Sequence, residues 1–304
     1  MTKVAGDGEC LREGETFGCL DMLRNGLRRL ERVVVAFSGG ADSAFLAWVA
    51  NDTLGREQVT CVTAVSASLA PEELADCEAL ASEWHLQWLR LETAELADPA
   101  YSANHGDRCY HCKASLMAVA SPVAAAARAT VVLGVNLDDL DERRPGQLAA
   151  AERGAAYPLV DAGFDKGRVR TASRSLGLRT WDKPAAACLA SRVPYGVPVT
   201  TATLARVARA ESALRTLGFG QLRVRHYGDL ARIELDAGGL DDAVARRAEV
   251  VAAVQGAGYT YVTVDLEGFR SGNLNQALTG GPALTVGSRG SGTAPGRSLT
   301  GAER

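Results

Sequence analysis

Residues 33–50, VVVAFSGGADSAFLAWVA, join a short apolar run to a glycine-rich turn and then to a second apolar stretch. A continuous apolar run of this length is typical of a strand buried in a parallel sheet. Glycines allow a tight turn in which backbone N–H groups at the start of a helix approach an anion. The stretch therefore predicts a strand–turn–helix unit. Its phosphate-binding residues are expected to be Ser38, Gly39, Gly40, Asp42 and Ser43.

Asp42 has a separate predicted role within this turn. A carboxylate repels phosphate, so we expect Asp42 to hold a Mg²⁺ ion that the phosphates share. The turn lacks the Gly-Lys-Ser/Thr of the Walker type, and hydrolysis at a γ-phosphate is therefore not the chemistry it predicts. A strand-to-helix turn without a ligand would account for two glycines, but not for the two serines and the aspartate as well.

The chain on either side of the turn alternates short apolar runs with helical patterns. Strands are predicted at residues 59–65, 88–91 and 130–135, with helices at 17–30, 71–84 and 113–129. Such alternation predicts an α/β fold with a doubly wound parallel sheet over residues 17–180. A linker or site loop is expected at 181–200, and a second, smaller α+β domain at 201–278 that includes a helix at 241–255. Residues 1–16 and 279–304 are expected to be a flexible arm and a disordered tail.

Composition excludes several classes of protein. The 304 residues are 23% charged and 47% hydrophobic, which is ordinary for a globular protein and unlike a disordered one. No window reaches the roughly 18 apolar residues of a membrane span. The first residues lack the apolar core of a signal peptide, so we expect a cytoplasmic location and no membrane partner. A net charge of −3 argues against nucleic acid as a partner.

Seven cysteines form an odd set that argues against a disulfide framework and for metal, redox or catalytic use. Cys10, Cys19, Cys61 and Cys77 have ordinary structural explanations. Cys109 and Cys112 form a Cys-x-x-Cys pair, which alone is ambiguous between redox, zinc and iron–sulfur use. Cys188, far along the chain, suits a three-cysteine cluster, while zinc with His105 or His111 as a fourth ligand is the alternative.

The SGGADS turn after a first strand resembles that of the PP-loop ATP pyrophosphatase superfamily. The resemblance implies an adenine nucleotide alpha hydrolase-like fold that uses ATP and Mg²⁺. Such enzymes grip the β- and γ-phosphates and leave the α-phosphorus open, so that an oxygen of the substrate is adenylylated.

Longer segments narrow the resemblance. The chain looks like the LarE family in the segments LGVNLDDLDERRPGQLAA, YPLVDAGFDKGRVR, SLGLRTWDKPAAACLASRVPYG and YVTVDLEGFRSGNLNQAL, and the similarity covers residues 17–278. This resemblance implies an ATP-dependent sulfur transferase of nickel-pincer nucleotide biosynthesis and lactate racemase maturation. Its expected substrate is pyridinium-3,5-biscarboxylic acid mononucleotide, converted to a thiocarboxylate. A homo-oligomer and other proteins of the same pathway are the partners it implies.

The same resemblance assigns site residues. It implies catalytic roles for Cys188, Ser191, Arg192 and Glu211, and contacts of Arg192, Arg223 and Arg225 with the substrate phosphate. Two sulfur sources occur in the family. Either the cysteine matching Cys188 gives up its own sulfur and becomes dehydroalanine, or three cysteines hold a [4Fe–4S] cluster that delivers sulfur. Because Cys109, Cys112 and Cys188 are all present, we expect the cluster.

Two other functions fit part of the sequence. A PP-loop tRNA thiolase shares the turn, but the acidic balance and the lack of a basic arm count against it. An ATP-binding protein with a structural zinc and no catalysis would explain the turn and the cysteines alone.

Overall fold

The chain's computed structural model describes residues 7–140, 145–184, 186–236 and 238–270, with side chains from residue 16 onward. Within these residues the helices are α1 (Asp7–Leu30), α2 (Ala41–Leu54), α3 (Pro71–Glu83), α4 (Pro99–Ser102), α5 (Arg108–Ala127), α6 (Pro145–Ala151), α7 (Pro158–Asp161), α8 (Lys166–Ser175), α9 (Thr201–Thr216), α10 (Gly239–Ala245) and α11 (Arg247–Gly256). The strands are β1 (Val33–Ala36), β2 (Val59–Val65), β3 (Gln87–Glu92), β4 (Thr130–Leu133), β5 (Leu222–Tyr227), β6 (Leu230–Leu235) and β7 (Tyr261–Val264). Short 3₁₀ turns occur at Arg56–Gln58, Glu95–Ala97, Leu137–Asp139 and Leu189–Arg192.

The larger sheet has the strand order β3-β2-β1-β4, and all of its pairs are parallel. Alternate residues of β1 face opposite sides, as the period of a strand requires. Val33 and Val35 pack with α1, α2, α3 and α8, whereas Val34 packs with α5 and α6. Helices thus cover both faces, which confirms the predicted doubly wound α/β architecture.

The smaller sheet has the order β5-β6-β7, with β5 antiparallel and β7 parallel to the middle strand. One face packs on α9 and α11 through apolar side chains such as Val224, Ile233 and Val254. The opposite face carries the charged side chains of Arg223, Arg225, Arg232 and Glu234. This sheet lies where the smaller α+β unit is predicted.

The structure differs from the sequence-based expectations at the amino end. The predicted flexible arm ends at residue 16, but α1 already begins at Asp7. The intervening segment contains Glu, Leu and Arg, which have high helix propensity and extend the helix backward despite two glycines. Residues 1–6 of that arm lie outside the described part of the chain.

A second difference concerns the helix predicted near residues 241–255. It is divided into α10 and α11 at Arg246, whose backbone leaves the helical region. The Arg246 guanidinium donates to the carbonyl of Leu217 at 2.9 Å and to Asp242 at 3.2 Å, which anchors the break. The predicted tail at 279–304 lies outside the described residues. Among the helices that are described, none has the length and apolar character needed to cross a membrane.

Candidate active site

The glycine-rich turn lies at the carboxyl end of β1 and opens α2, as predicted. Gly39 has φ +70°, and a Cβ at this position would lie 2.9 Å from Cys77 Sγ, so only glycine fits. Ser43 Oγ accepts a hydrogen bond from the Ser38 backbone N–H at 3.2 Å and lies 3.2 Å from the Gly40 carbonyl, to which it donates. These bonds hold the turn in a fixed shape at the amino end of a helix, where backbone N–H groups bind anions.

The amino end of α2 also packs directly on β4. A Cβ at Gly134 would lie 2.8 Å from Ser43 N and 2.9 Å from the Asp42 carbonyl carbon. Both contacts are with backbone atoms, which have no rotamer through which to move away. Sequence reasoning missed Gly134, although a glycine directly after a predicted strand is a recognised sign of close backbone approach.

Asp42 faces a second carboxylate from the loop after β4. Asn136 Nδ2 donates to Asp42 Oδ1 at 3.1 Å, and Lys166 Nζ lies 3.3 Å from Asp139 Oδ1. Burial and the charge of Asp139 raise the pKa of Asp42, against the opposing effects of Asn136 and Lys166. Two neighbouring carboxylates at the carboxyl ends of adjacent strands fit the hard oxygen ligands that Mg²⁺ prefers. Asp139 and Asn136 were missed from sequence.

Lys183, at the start of the predicted linker, reaches back to the turn. Its ammonium donates to the Gly39 carbonyl at 3.1 Å, to Glu73 Oε2 at 2.8 Å and to Asp76 Oδ2 at 2.6 Å. Lys183 also was not singled out from sequence. The contact brings the linker that carries Cys188 to the phosphate-binding turn.

The rest of the linker docks on the segment before α5. Asn104 is fully buried with φ +58°, and its Nδ2 lies within hydrogen-bond distance of the carbonyls of Val193 (3.3 Å), Pro194 (2.8 Å) and Val197 (2.9 Å). The buried guanidinium of Arg108 donates to the Asn104 side chain and, at 2.9 Å, to the Ala190 carbonyl. These contacts place the turn that begins at Cys188 beside the start of α5.

The three cysteines singled out from sequence are brought to one region as free thiols. Cys109 and Cys112 lie in the first turns of α5, and Cys188 caps the 3₁₀ turn docked there. Burial raises the pKa of both Cys109 and Cys112, and the charge of Cys188 raises it further. The pKa of Cys112 reaches about 12. The thiols are therefore close enough to interact electrostatically.

The next question is whether these thiols already form a site for a single metal ion. Across the described ranges, no three His, Cys, Asp or Glu side chains are grouped closely enough to hold one metal ion. His111 Nδ1 lies 3.0 Å from Asp98 Oδ2 and Nε2 lies 3.7 Å from Asp107 Oδ2, so both ring nitrogens face carboxylates. A zinc site needs about four ligands around one ion, whereas an iron–sulfur cubane binds each thiolate to a different iron. The described residues thus contain no preformed site for a single zinc ion at these thiols.

Arg192 and Glu211 form a buried pair that supports the linker. Arg192 Nε and Nη2 donate to the two oxygens of Glu211 at 2.8 and 3.1 Å, and Nη1 donates to the carbonyls of Ala187 (2.7 Å) and Cys188 (3.2 Å). Nη1 also lies 3.0 Å from Ser191 Oγ. Arg192 thereby fixes the backbone of Cys188 itself.

Glu211 has no exposed surface and accepts further hydrogen bonds from Val224 N and Arg215 Nη2, each at 3.0 Å. Although burial opposes its ionisation, Arg192, Val224 and Arg215 hold the pKa of Glu211 below its usual range. A carboxylate engaged in this way positions the groups around it, and the catalytic role of Glu211 stays a prediction. Arg192 is similarly committed to protein acceptors, so this geometry does not support its predicted contact with substrate phosphate.

Arg223 and Arg225 share one face of β5, as their spacing predicts, but their surroundings differ. Arg225 donates to the Ser191 carbonyl at 2.8 Å and to Glu234 at 2.7 Å. The Arg223 guanidinium lies 4.5 Å from the ring centre of Phe269, and the described residues provide it with no hydrogen-bond or ion-pair partner. Burial and the charges of Arg192 and Arg225 lower the pKa of Arg223 to about 10. Arg223 is thus the cation of this face suited to an external anion, and Arg225 braces the linker.

A parallel sheet whose first strand opens into this glycine-rich turn, with a carboxylate after the neighbouring strand, is typical of a PP-loop ATP-utilising enzyme. Comparison with known proteins agrees, because the NAD synthase family matches residues 20–128.

Whole-length relatives are more specific. The chain is 39% identical to the pyridinium-3,5-bisthiocarboxylic acid mononucleotide synthase of Lactiplantibacillus plantarum over 83% of this chain and 92% of that protein. It is 46% identical to an uncharacterized protein of Synechocystis over 86% of this chain and 98% of the relative. A Methanocaldococcus jannaschii protein, also uncharacterized, is 24% identical over 82% and 96% of the two chains. The chain therefore belongs to the LarE family of ATP-dependent sulfur transferases.

Proposed function

We propose that this enzyme adenylylates a carboxylate of pyridinium-3,5-biscarboxylic acid mononucleotide and replaces AMP with sulfur to give the thiocarboxylate. The similarity to the Lactiplantibacillus plantarum synthase, over 83% of this chain and 92% of that protein, supports the substrate. The proposal is consistent with the site, which combines a glycine-rich turn at a helix start, the Arg223 guanidinium with no ion-pair partner among the described residues, and a set of free thiols.

The reaction consists of two displacements. A carboxylate oxygen of the substrate attacks the α-phosphorus of ATP, and the bond to pyrophosphate breaks. A sulfur nucleophile then attacks the acyl carbon, and AMP leaves with the C–O bonding electrons. The first step is needed because a free carboxylate is a poor electrophile, whereas an acyl adenylate has a good leaving group.

Each group of site residues has a proposed role in one of these steps. The turn at Ser38–Ser43 would hold the β- and γ-phosphates, and Asp42 with Asp139 would hold Mg²⁺. Arg223 would bind the phosphate of the substrate mononucleotide, since it is buried without a carboxylate partner among the described residues. Arg192 positions Cys188 through its carbonyl.

We propose further that sulfur is delivered through a [4Fe–4S] cluster held by Cys109, Cys112 and Cys188. The observation that carries this proposal is the convergence of these three free thiols from two distant segments of the chain. When bound, the cluster would supply the sulfur atom at an iron that no cysteine holds. The enzyme is proposed to act in the cytoplasm as a homo-oligomer together with other proteins of nickel-pincer nucleotide biosynthesis, as the family resemblance implies.

The test is anaerobic purification followed by iron and sulfide analysis, with the intact mass measured before and after turnover. Cluster delivery predicts about four irons per chain and an unchanged mass. Loss of one H₂S from Cys188 during turnover would show sacrifice of the cysteine instead. Cys109→Ala should abolish iron binding, whereas Cys19→Ala, which changes a buried thiol away from this region, should retain it. Zinc without iron, and no pyrophosphate release with the substrate, would refute the proposed activity.

A further inference from the structure

The ammonium of Lys183 lies against the phosphate-binding turn although it comes from a distant part of the chain. Its side chain is 18% exposed, and its three hydrogen bonds go to the Gly39 carbonyl, Glu73 and Asp76. A lysine ammonium has three donors, so every donor of Lys183 is engaged. Any new acceptor must therefore replace one of these three.

The three acceptors are not equivalent. Glu73 and Asp76 are charged carboxylates at 2.8 and 2.6 Å, whereas the Gly39 carbonyl is neutral and lies at 3.1 Å. Charge-assisted hydrogen bonds are roughly twice as strong as neutral ones. The bond to Gly39 is thus the one most readily exchanged, and it is the one that points to the turn.

The turn itself lacks a cation for the terminal phosphates of ATP. In Walker-type loops a lysine within the motif reaches the β- and γ-phosphates, but residues 38–43 contain none. The neighbouring charged groups include Asp42 and Asp139, which repel phosphate until a metal ion is present, and Lys166, whose ammonium is already paired with Asp139 at 3.3 Å. A cation from outside the motif would fill this need, and Lys183 already contacts the turn.

We propose that Lys183 binds the pyrophosphate portion of ATP, exchanging the Gly39 carbonyl for a β- or γ-phosphate oxygen while Asp76 and Glu73 keep its ammonium in place. The inference rests on the proposed use of ATP by this site. Lys183 lies five residues before Cys188 in the same segment. Contact with the phosphates would therefore also hold the linker in position for the sulfur step.

The matched variants are Lys183→Met and Arg179→Met. Arg179 Nη2 lies 2.8 Å from Asp76 Oδ1, so Arg179→Met, like Lys183→Met, removes a cation from Asp76. The described ion pairs of Arg179 are with Asp76 and Glu83, however, and none is with the turn. Affinities for magnesium pyrophosphate, ATP and AMP are measured by calorimetry on the full chain. Lys183→Met should weaken pyrophosphate and ATP binding ten-fold or more and change AMP binding less than two-fold. Arg179→Met should change all three affinities less than two-fold.

A second measurement uses the unaltered protein and does not depend on a variant folding. Pyrophosphate should protect Lys183 from acetylation by acetic anhydride, as followed by peptide mass spectrometry, whereas AMP should not. Wild-type pyrophosphate affinity in Lys183→Met, or no protection by pyrophosphate, would overturn the inference. Pyrophosphate binding that depends on Lys183, without formation of a thiocarboxylate, would refute the proposed function and leave this role of Lys183 standing.

Discussion

Replacing Glu211 with glutamine tests whether the pair of Arg192 and Glu211 is a structural support. Glutamine keeps the shape of the side chain and one oxygen for the Val224 N–H group. Its amide nitrogen, however, is a donor facing a guanidinium that requires acceptors. Arg192, which is 6% exposed, would be left as a buried charge without its carboxylate partner.

The expected loss of stability follows from this burial. Removing one partner of a buried ion pair costs about 3–5 kcal/mol, because the other charge stays desolvated. At roughly 2–4 °C per kcal/mol for chains of this general size, the melting temperature should fall by about 6–20 °C. Arg215 adds little to this figure because its side chain is one-third exposed.

Thermal unfolding followed by circular dichroism, with urea unfolding as a second measure, gives the free energy of unfolding for each variant. Glu249→Gln, which removes an exposed carboxylate paired with Arg246 over three residues, is the control and should leave the melting temperature unchanged. The double variant Arg192→Met with Glu211→Gln should be no less stable than Glu211→Gln alone, because no unpaired charge remains. Additive losses in the double variant, or a loss below about 1 kcal/mol in Glu211→Gln, would refute the reasoning.

Two further predictions concern other parts of the fold. Gly134→Ala should lower the free energy of unfolding by about 1–3 kcal/mol and weaken ATP binding, because its Cβ would lie 2.8 Å from the backbone nitrogen of Ser43. Calorimetry measures both the unfolding and the binding of ATP. Gly256→Ala, where nothing lies within 4 Å of the added Cβ, is the control for both measurements. Burial and the charge of Arg206 lower the pKa of His226, against the opposing charge of Asp229, so the unfolded chain binds its proton first on acidification. This contribution to stability is full above about pH 6.5 and is lost as the pH falls toward the lowered pKa. His226→Gln should thus show a smaller drop in melting temperature between pH 7.5 and 5.5, and equal drops would contradict the assignment.

The sequence was sufficient to predict the larger sheet because β1, β2 and β4 are largely apolar runs, although β3 contains Arg90 and ends in Glu92. The predicted strand at residues 59–65 matches β2, and the predicted helix at 71–84 differs from α3 by one residue. The break at Arg246 was not predictable, because it depends on the carbonyl of Leu217, which only the folded chain brings near. Local periodicity reports which face of an element is buried, and not which distant group ends it.

The contacts among the candidate site residues could not be predicted from the sequence. Sequence and resemblance singled out Arg192, Glu211, Arg223 and Arg225 as one polar set. Which of these side chains is committed to protein partners depends on hydrogen-bond donors and acceptors that only the fold brings together. Arg225 is held by Glu234 and the Ser191 carbonyl, whereas Arg223 has no hydrogen-bond or ion-pair partner among the residues that the structure describes. Lys183 escaped notice since nothing in the local sequence indicates that its ammonium reaches Gly39.

The hydrogen bonds of Asn104 have a consequence for the order in which the site forms during synthesis. Its side chain binds carbonyls that lie 89 to 93 residues later in the chain. While the ribosome is still making that later segment, Cys109 and Cys112 are present without Cys188. A growing chain can therefore offer two thiols but not three, and the three thiols come together only after residues 193–197 have emerged and folded back onto Asn104.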